Sequence, residues 1–262
     1  MRLATFNVLH GRSLTDGLVH PARVADAVRG LDADVLALQE VDHGQDRSGQ
    51  LDLTAVAAVT MGTAHSRFVP TLIGIPGSHW EAAEPDEPPG RPAYGIGLVS
   101  RLPVLEWVPI PLGASPARLP VMIEGPTRRL MMVKDEPRVA IAAVLGPGAL
   151  VRTVVATHLS FAPGFNLAQL RRLGRAVRTL PRPLVLLGDL NIPGWLTQAV
   201  PGWRSLGRLP TYPADQPRVQ LDHALLRTHR GTGPGPRVHS FETVRTAISD
   251  HLAFVVDLDG PE

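Results

Sequence analysis

Eight polar residues stand where apolar runs of this sequence stop or resume. In PLVLLGDLNIP (183–193), Asp189 and Asn191 sit one residue apart at the end of a run that reads as a core strand. LATFN ends in Asn7, VLALQE in Glu40 and VVATH in His158. VQLDH carries Asp222, and TAISDH carries Asp250 and His251 just ahead of the last apolar run. Residues i and i+2 of a strand share a face, so Asp189 and Asn191 are expected to project together from a sheet edge. Alone, each residue has an ordinary structural use as a turn residue, an ion-pair partner or a hydrogen-bonded histidine. As a set they are costly to bury unless they pair or hold a cation. One cleft at the edge of packed sheets would satisfy all of them.

The chemistry that such a set suits is hydrolysis of phosphate esters. A divalent ion neutralises phosphate and leaving-group oxygens. A carboxylate orients or deprotonates water. Amide and imidazole donors hold developing negative charge. The chain has no cysteine, which excludes disulfides and thiolate metal sites. A metal would have to be held by Asp, Glu, Asn or His, a donor set that favours magnesium or manganese.

The elements that must position these residues are mostly strands. About twelve strand-like runs recur, including RLATFNVL, DVLALQEV, RFVPTLIGI, YGIGLVSRL, VLEWVPI, RRLMMVKD, VAIAAVL, VRTVVATHL, FETVRTA and LAFVVDLD. Helical patterns are fewer. PARVADAVRGL places Pro21 in a first turn and Val24, Val28 and Leu31 at helical spacing. LDLTAVAAVTMG stops at Gly62. NLAQLRRLGRAVRTL opens at Asn166, a residue able to cap, and repeats Leu170, Leu173 and Val177. No internal repeat or clean linker divides the chain, so residues 1–262 read as one domain of packed sheets with helices outside. The segment 76–92, rich in Pro, Gly and acid, reads as a surface loop or as a loop over an active site, and the stretch around 235 as a turn-rich connection.

Composition narrows the partners. The chain has 262 residues, 44% of them hydrophobic, and a net charge of +2. The high isoelectric point, about 9.6, follows from a basic set that is nearly all arginine, with Lys134 the only lysine. It therefore does not by itself mark a nucleic-acid surface. The opening MRLATFNVLHG lacks the apolar core of a signal peptide, and no apolar run approaches the ~18 residues of a membrane span. The expectation is a cytoplasmic protein with no transmembrane segment.

ATFNVLHG, DVLALQEVDHGQDRSG, YGIGLVSRLPV, EPRVAIAAVL, VVATHLS, LVLLGDLNIP, TYPADQPRVQLDHALL and ISDHLAFVVDL occur in this order along nearly the whole chain. Together they resemble the endonuclease/exonuclease/phosphatase family, which includes pancreatic deoxyribonuclease, abasic-site endonucleases, neutral sphingomyelinases and inositol-phosphate phosphatases. The resemblance implies an α/β fold: a four-layer sandwich of two mixed β-sheets, about six strands each, packed face to face with helices outside. It implies a Mg2+ or Mn2+ site with Glu40 as main ligand, Asn7 in support of metal or phosphate, and Asp250 beside it. Asp189 would position or activate water, and Asn191 would bind a phosphate oxygen. His251 would contact the scissile phosphate, oriented by Asp222, and His158 would protonate the leaving group. Leu9 stands where abasic-site enzymes carry a further acid. Trp195 is open as an entrance residue or a loop anchor, His10 as a residue near the site or a local structural one. Arg101 and Arg138 are open as ion-pair residues or phosphate binders. The expected function is divalent-metal-dependent hydrolysis of phosphate esters by a phosphodiesterase. A nuclease acting on DNA or RNA is the alternative, and a non-catalytic binding module on the same scaffold is the third reading.

Overall fold

In a computed structural model of the chain, which describes residues 1–84, 90–116, 118–123, 129–228 and 235–260, the apolar runs become the central strands of two sheets. The strands are β1 (Arg2–Asn7), β2 (Val35–His43), β3 (His65–Gly74), β4 (Trp80–Ala82) and β5 (Ala93–Ser100). They continue as β6 (Val104–Gly113), β7 (Arg118–Ile123), β8 (Arg129–Lys134), β9 (Arg138–Leu145) and β10 (Thr153–His158). The last five are β11 (Leu184–Asp189), β12 (Arg204–Ser205), β13 (Asp222–Arg227), β14 (Arg237–Val244) and β15 (Ala253–Asp259). The α-helices are α1 (Pro21–Leu31), α2 (Leu53–Met61) and α3 (Phe165–Ala176).

One sheet has seven strands in the order β14-β15-β1-β2-β5-β3-β4, and the other has six in the order β12-β13-β11-β10-β9-β6. Both are mixed, with β1 parallel to β2 and β10 parallel to β11. A hairpin of β7 and β8 stands apart from them.

Strand alternation sorts the core into three layers. Leu3, Val154, Ala156, Val185, Leu187, Ala224, Phe254 and Val256 meet between the two sheets. Ala4, Phe6, Leu36, Leu38 and Val255 face the other way and pack on Val24, Val28, Leu31, Leu53 and Ala57 of α1 and α2. Val155, Leu184 and Leu186 pack on Leu170 and Leu173 of α3. Strands covered on both faces read as near-continuous apolar runs, which is why they were visible in the sequence. Three apolar layers between four layers of backbone make the expected sandwich.

Several element boundaries differ from the sequence expectation. The sequence reading missed β4, β7 and β12. β4 and β12 are only three and two residues long, and β7 carries Pro120, which argues against a strand locally. β2 does not end at Glu40 but runs on to His43. Asp222 opens its strand rather than lying within it. α3 is capped by Gly164, not Asn166. Asn166 is buried in the first turn, where its amide donates to the Asn191 carbonyl at 2.7 Å. α2 stops at Gly62 as expected, in the left-handed region, and its start at Leu53 is set by Asp52, whose side chain accepts from the Ala55 N–H. Of the segment 76–92, residues 85–89 lie outside the described residues, as do 229–234 of the connection before β14.

β10 and β11 approach closely at one glycine. Gly188 is paired with Thr157, and a Cβ there would land on the Thr157 carbonyl oxygen. The next pair in register is His158 with Asp189. Gly188→Ala should therefore cost about 1–3 kcal/mol through forced separation of the strands, read as a shift in urea midpoint at constant slope. A cost below a few tenths of a kcal/mol would contradict this packing.

Candidate active site

The polar residues lie where the inter-sheet core runs out. Asn7 follows Leu3 and Thr5 on one face of β1. His158 follows Val154 and Ala156, and Asp189 follows Val185 and Leu187. Asp222 precedes Ala224 and Leu226. Period-2 alternation aims all four between the sheets. The antiparallel register sets Asp222 opposite Asp189.

Glu40 reaches the same cleft by a different device. Leu36 and Leu38 face the helices, so uninterrupted alternation would turn Glu40 the same way. Instead Gln39 and Glu40 together oppose a single residue between the pairs Leu38–Gly97 and Val41–Gly95. Glu40 adopts φ of 56° at this bulge. The extra residue flips the parity: Val41 returns to the helix side, and Glu40 lines the cleft.

The bonds that join the set cross from one sheet to the other. The Asn7 amide Nδ2 donates to Glu40 Oε1 at 3.1 Å and to Asp189 Oδ2 at 3.1 Å. Its Oδ1 accepts from the Leu9 N–H at 3.1 Å. Asp189 Oδ1 accepts from the Asn191 N–H at 2.9 Å. Asn191 lies beyond the strand end with φ of 50°, so this turn, not strand alternation, brings it to Asp189. Its Nδ2 reaches His158 Nε2 at 3.2 Å and the Leu159 carbonyl at 3.0 Å. On the other side, His251 Nδ1 meets Asp222 Oδ2 at 2.8 Å, and His251 Nε2 points to Asp189 Oδ2 at 3.9 Å. Ser249 Oγ accepts from the His251 N–H at 3.0 Å and donates to the Asn7 carbonyl at 2.5 Å. The Tyr212 ring packs against His251 with centroids 4.8 Å apart.

Glu40, His158, Asp189, Asn191, Tyr212 and His251 line a cleft of about 430 Å³ with Tyr94, Lys134, Glu136, Arg138, Phe161 and Asp250, and Asn7 and Asp222 lie behind its wall. A groove of about 930 Å³ at the sandwich edge, lined by Arg204, Arg208 and Phe241, has no carboxylate among its described lining residues.

Burial sets the charges. It pushes the Glu40 carboxyl up to about 7, against the Asn7 hydrogen bond and with repulsion from Asp250 and Asp189. Asp189 is raised, chiefly by burial, with Asp222 adding to it. Burial works against charge on His251, but the Asp222 carboxylate, with Asp189 and Asp250 beyond it, outweighs burial and raises the ring to about 10. His158 is pushed well below 6.5 by burial and by the charges of Arg138 and His251. His158 is therefore neutral, its Nε2 accepts from Asn191, and its 3.5 Å approach to Asp189 is not an ion pair. The protonated histidine of the cleft is His251.

Two groupings could suit a cation. Asp189, Asp222 and His251 each bring a ligand atom within 4.8 Å of the others, but the imidazolium already answers both carboxylates. Glu40, Asp189 and Asp250 offer hard oxygen donors with the repulsion just described, and this donor set fits a hard divalent ion better. The Asn7 Oδ1 is engaged by backbone, so Asn7 here holds Glu40 and Asp189 in place. Asp222 Oδ1 is buried without a hydrogen-bond partner among the described residues.

Other residues fall differently. Arg138 is nearly buried, bonds Asp135 Oδ1 at 3.3 Å, and lines the cleft. Arg101 is a structural residue, paired with Asp32 at 2.8 Å. Trp195 is 70% exposed, so it anchors nothing in the core. Tyr94, Tyr212 and Glu136 were not singled out from the sequence. The only signal for them is their place at the ends of the same motifs, YGIGLVS, TYPAD and EPR.

A family model described as endonuclease/exonuclease/phosphatase family matches residues 4–251. The chain belongs to this family. Against curated proteins, the sequence finds no match. Among solved structures, the family protein of Beutenbergia cavernae DSM 12333 is 22% identical, with a TM-score of 0.65 over 98% of this chain and 71% of that one. A mannosyl-6-phosphatase of Bacteroides thetaiotaomicron VPI-5482 is 13% identical, with a TM-score of 0.58 over 99% of both chains. D. rerio TDP2, complexed with a single-strand DNA product, is 18% identical, with a TM-score of 0.57 over 99% of this chain and 98% of that one. At these identities the structural likeness speaks for the shared fold.

The His251–Asp222 pair carries a pH signature. The folded ring titrates near 10 and the unfolded one near 6.5. The pair's stabilisation is therefore complete below about 6.5 and is lost as pH rises toward 10. In metal-free protein, the melting temperature should fall over this window in wild type and stay flatter in His251→Gln. Parallel curves would disprove the pairing.

Proposed function

We propose that this family member is a divalent-metal-dependent hydrolase of phosphate esters, acting as a phosphodiesterase. The observation that carries the reading is the convergence of Glu40 and Asp189 on one amide, with the His251–Asp222 pair facing them. Glu40, with Asp250 beside it, would hold a Mg2+ or Mn2+ ion, which would supply positive charge against phosphate oxygens.

The chain's own residues do the rest. Asp189, its Oδ1 fixed by the Asn191 N–H and its Oδ2 by Asn7, orients a water and takes its proton; its raised carboxyl suits that exchange. His251 carries a proton on Nε2, which is directed into the cleft, while Asp222 holds Nδ1 and so fixes the ring. That N–H binds a non-bridging oxygen of the scissile phosphate and stabilises the charge that builds there. On the other side both Asn191 Nδ2 hydrogens are engaged, by His158 Nε2 and the Leu159 carbonyl. Neutral His158 therefore carries no proton on Nε2 for the leaving oxygen, contrary to the sequence expectation, and the two residues hold the turn that fixes Asp189. Arg138 adds a fixed positive charge at the wall.

A second reading, a nuclease acting on DNA or RNA, is favoured by the cationic side chains Arg138 and Lys134 on the cleft wall. TDP2 with a DNA product shares the fold. Salt-sensitive oligonucleotide binding separates it from a small-molecule phosphodiesterase.

Assayed on bis-p-nitrophenyl phosphate, oligonucleotides and phospholipids with Mg2+ or Mn2+, the wild type should turn over at least one. Asp189→Asn, His251→Ala and Glu40→Ala should each lose roughly 100-fold or more in kcat. Unchanged rates in Glu40→Ala and His251→Ala would sink the reading.

Metal association is expected to show in stability as well. The Glu40 carboxyl is raised from 4.5 to about 7, so the metal-free site grows less stable as pH rises through that range. Mg2+ should then raise the melting temperature more at pH 8 than at pH 5. Glu40→Gln should shrink that difference; an equal response in the variant would argue against Glu40 as a ligand.

A further inference from the structure

The arginines of this chain are unevenly answered by acids. Those that pair with carboxylates among the described residues all lie between Arg2 and Arg138. From Pro137 to Ala214 the sequence holds nine arginines and a single acid, Asp189 of the cleft. Arg171, Arg175 and Arg178 recur at helical spacing and are exposed along α3 and the turn after it. Arg182 donates from Nη2 to the Arg178 carbonyl at 3.3 Å and from Nη1 to the Thr228 carbonyl at 3.2 Å. Next to Thr228, Arg227 donates to the Gly174 carbonyl of α3 at 2.5 Å and lies over the Trp203 ring, 5.2 Å from its centroid. Trp203, Arg204 and Arg208 in turn line the groove of about 930 Å³. These contacts join the arginines into one band in which like charges face each other without an acid.

The band stands at the far end of the strands that carry the cleft acids. Arg227 closes β13, which Asp222 opens, so about 17 Å of strand separates them. Arg182 precedes β11, at whose other end Asp189 stands. Leu184 pairs with Arg227, and Arg204 with Leu226. From Arg204 the chain runs back along β13 toward the cleft. The Leu206 N–H donates to the Ala224 carbonyl at 2.9 Å, the Gln220 amide to the Gly207 carbonyl at 3.2 Å, and the Asp222 N–H to Thr211 Oγ1 at 3.2 Å. Tyr212, the next residue, lines the cleft. The groove follows this edge, and its opposite wall is β14, the edge strand of the other sheet. A concave track with arginines and no described carboxylate suits a polyanion. Phe241 of β14, 42% exposed, is the one large apolar side chain of the groove lining that is well exposed among the described residues. A single ring beside arginines suits stacking of a base while the guanidinium groups take phosphates. A membrane surface would call for several apolar side chains on the same face.

We infer that the groove between β12 and β14, with the arginine band behind it, is an exosite for single-stranded nucleic acid, leading along the β12 edge to Tyr212 in the cleft wall. The inference goes beyond the phosphoesterase reading and does not need the cleft to be catalytic. At about 3.4 Å per nucleotide, the stretch from the band to the cleft spans about five nucleotides. Arg204 and Arg208 follow phosphates irrespective of sequence, and Phe241 offers its ring to a base.

Fluorescence anisotropy of a labelled oligothymidylate of about twelve nucleotides, titrated with metal-free protein, tests this without turnover. Wild type should bind it, and binding should weaken as salt rises. The double variant Arg204→Gln/Arg208→Gln should bind roughly tenfold more weakly, and its slope of log Kd against log salt should be smaller by about 1.4, the share of two single-strand phosphate contacts. Phe241→Ala should weaken binding roughly tenfold at an unchanged slope. The arginine variant, altered only at exposed positions, keeps the test standing if Phe241→Ala fails to fold. Asp189→Asn should bind no more weakly than wild type, so a cleft without turnover on any ester would remove the hydrolase and leave the exosite. Absent or salt-independent binding by wild type, or equal affinity in the arginine and Phe241 variants, overturns the exosite. Vesicles of phosphatidylserine and phosphatidylcholine make the other arm. Vesicle binding that the arginine variant loses, with oligothymidylate unbound, would assign the face to a membrane and overturn the proposal as well.

Discussion

Carboxylates brought together in a half-dry cleft repel one another, and the polar bonds at this end of the sandwich answer that repulsion. Burial, with repulsion from Asp250 and Asp189, holds Glu40 above its ordinary range, and burial, with repulsion from Asp222, does the same to Asp189. The Asn7 amide offers both hydrogens to two of them. The His251 imidazolium sits between Asp222 and Asp189. Without these donors, the acids would force the sheets apart or stay protonated. The arrangement is strained electrostatically in the way that a cation or a phosphate-bound cation would relieve.

The same bonds explain why the site is a property of the whole sandwich. Asn7 and His251 belong to the seven-stranded sheet and the segment that leads into it. Asp189 and Asp222 belong to the six-stranded sheet. Each hydrogen-bonded or charged pair across the seam therefore needs the apolar layer below it to hold the sheets at a fixed distance and register. Leu3, Val185, Leu187 and Phe254 do this from full burial. Packing that dense resists small shifts, and angstrom-scale placement of Asp189 against His251 depends on that resistance.

Much of this was legible beforehand because burial on both faces leaves a strong mark in sequence. The runs TVVATH and LVLLGD have no polar face to hide, so a polar residue at their ends stands out. The ordered motifs carried the family, and with it the layer count. Short edge strands left no such mark: β12 has two residues, and β4 exists because the end of β3 offers it a partner. Arg138 was visible, but its use was not. Tyr94 and Tyr212 went unremarked because neither ends an apolar run. Their importance lies in the cleft wall that they share, which no spacing rule describes.

By itself, the sequence determined which residues could be buried and which could not, and so which positions had to meet at an edge. Alternation along β1, β10, β11 and β13 follows from stereochemistry alone, and it correctly aims Asn7, His158, Asp189 and Asp222 between the sheets. The tertiary structure decided the two cases in which alternation points elsewhere. Glu40 would face the helices but for the extra residue at the bulge, and Asn191 reaches its partners through a left-handed turn beyond the strand. Both conformations are unfavourable for an isolated residue. They persist because pairing with β5 on one side, and the bonds to Asp189, His158 and Asn166 on the other, over-determine them.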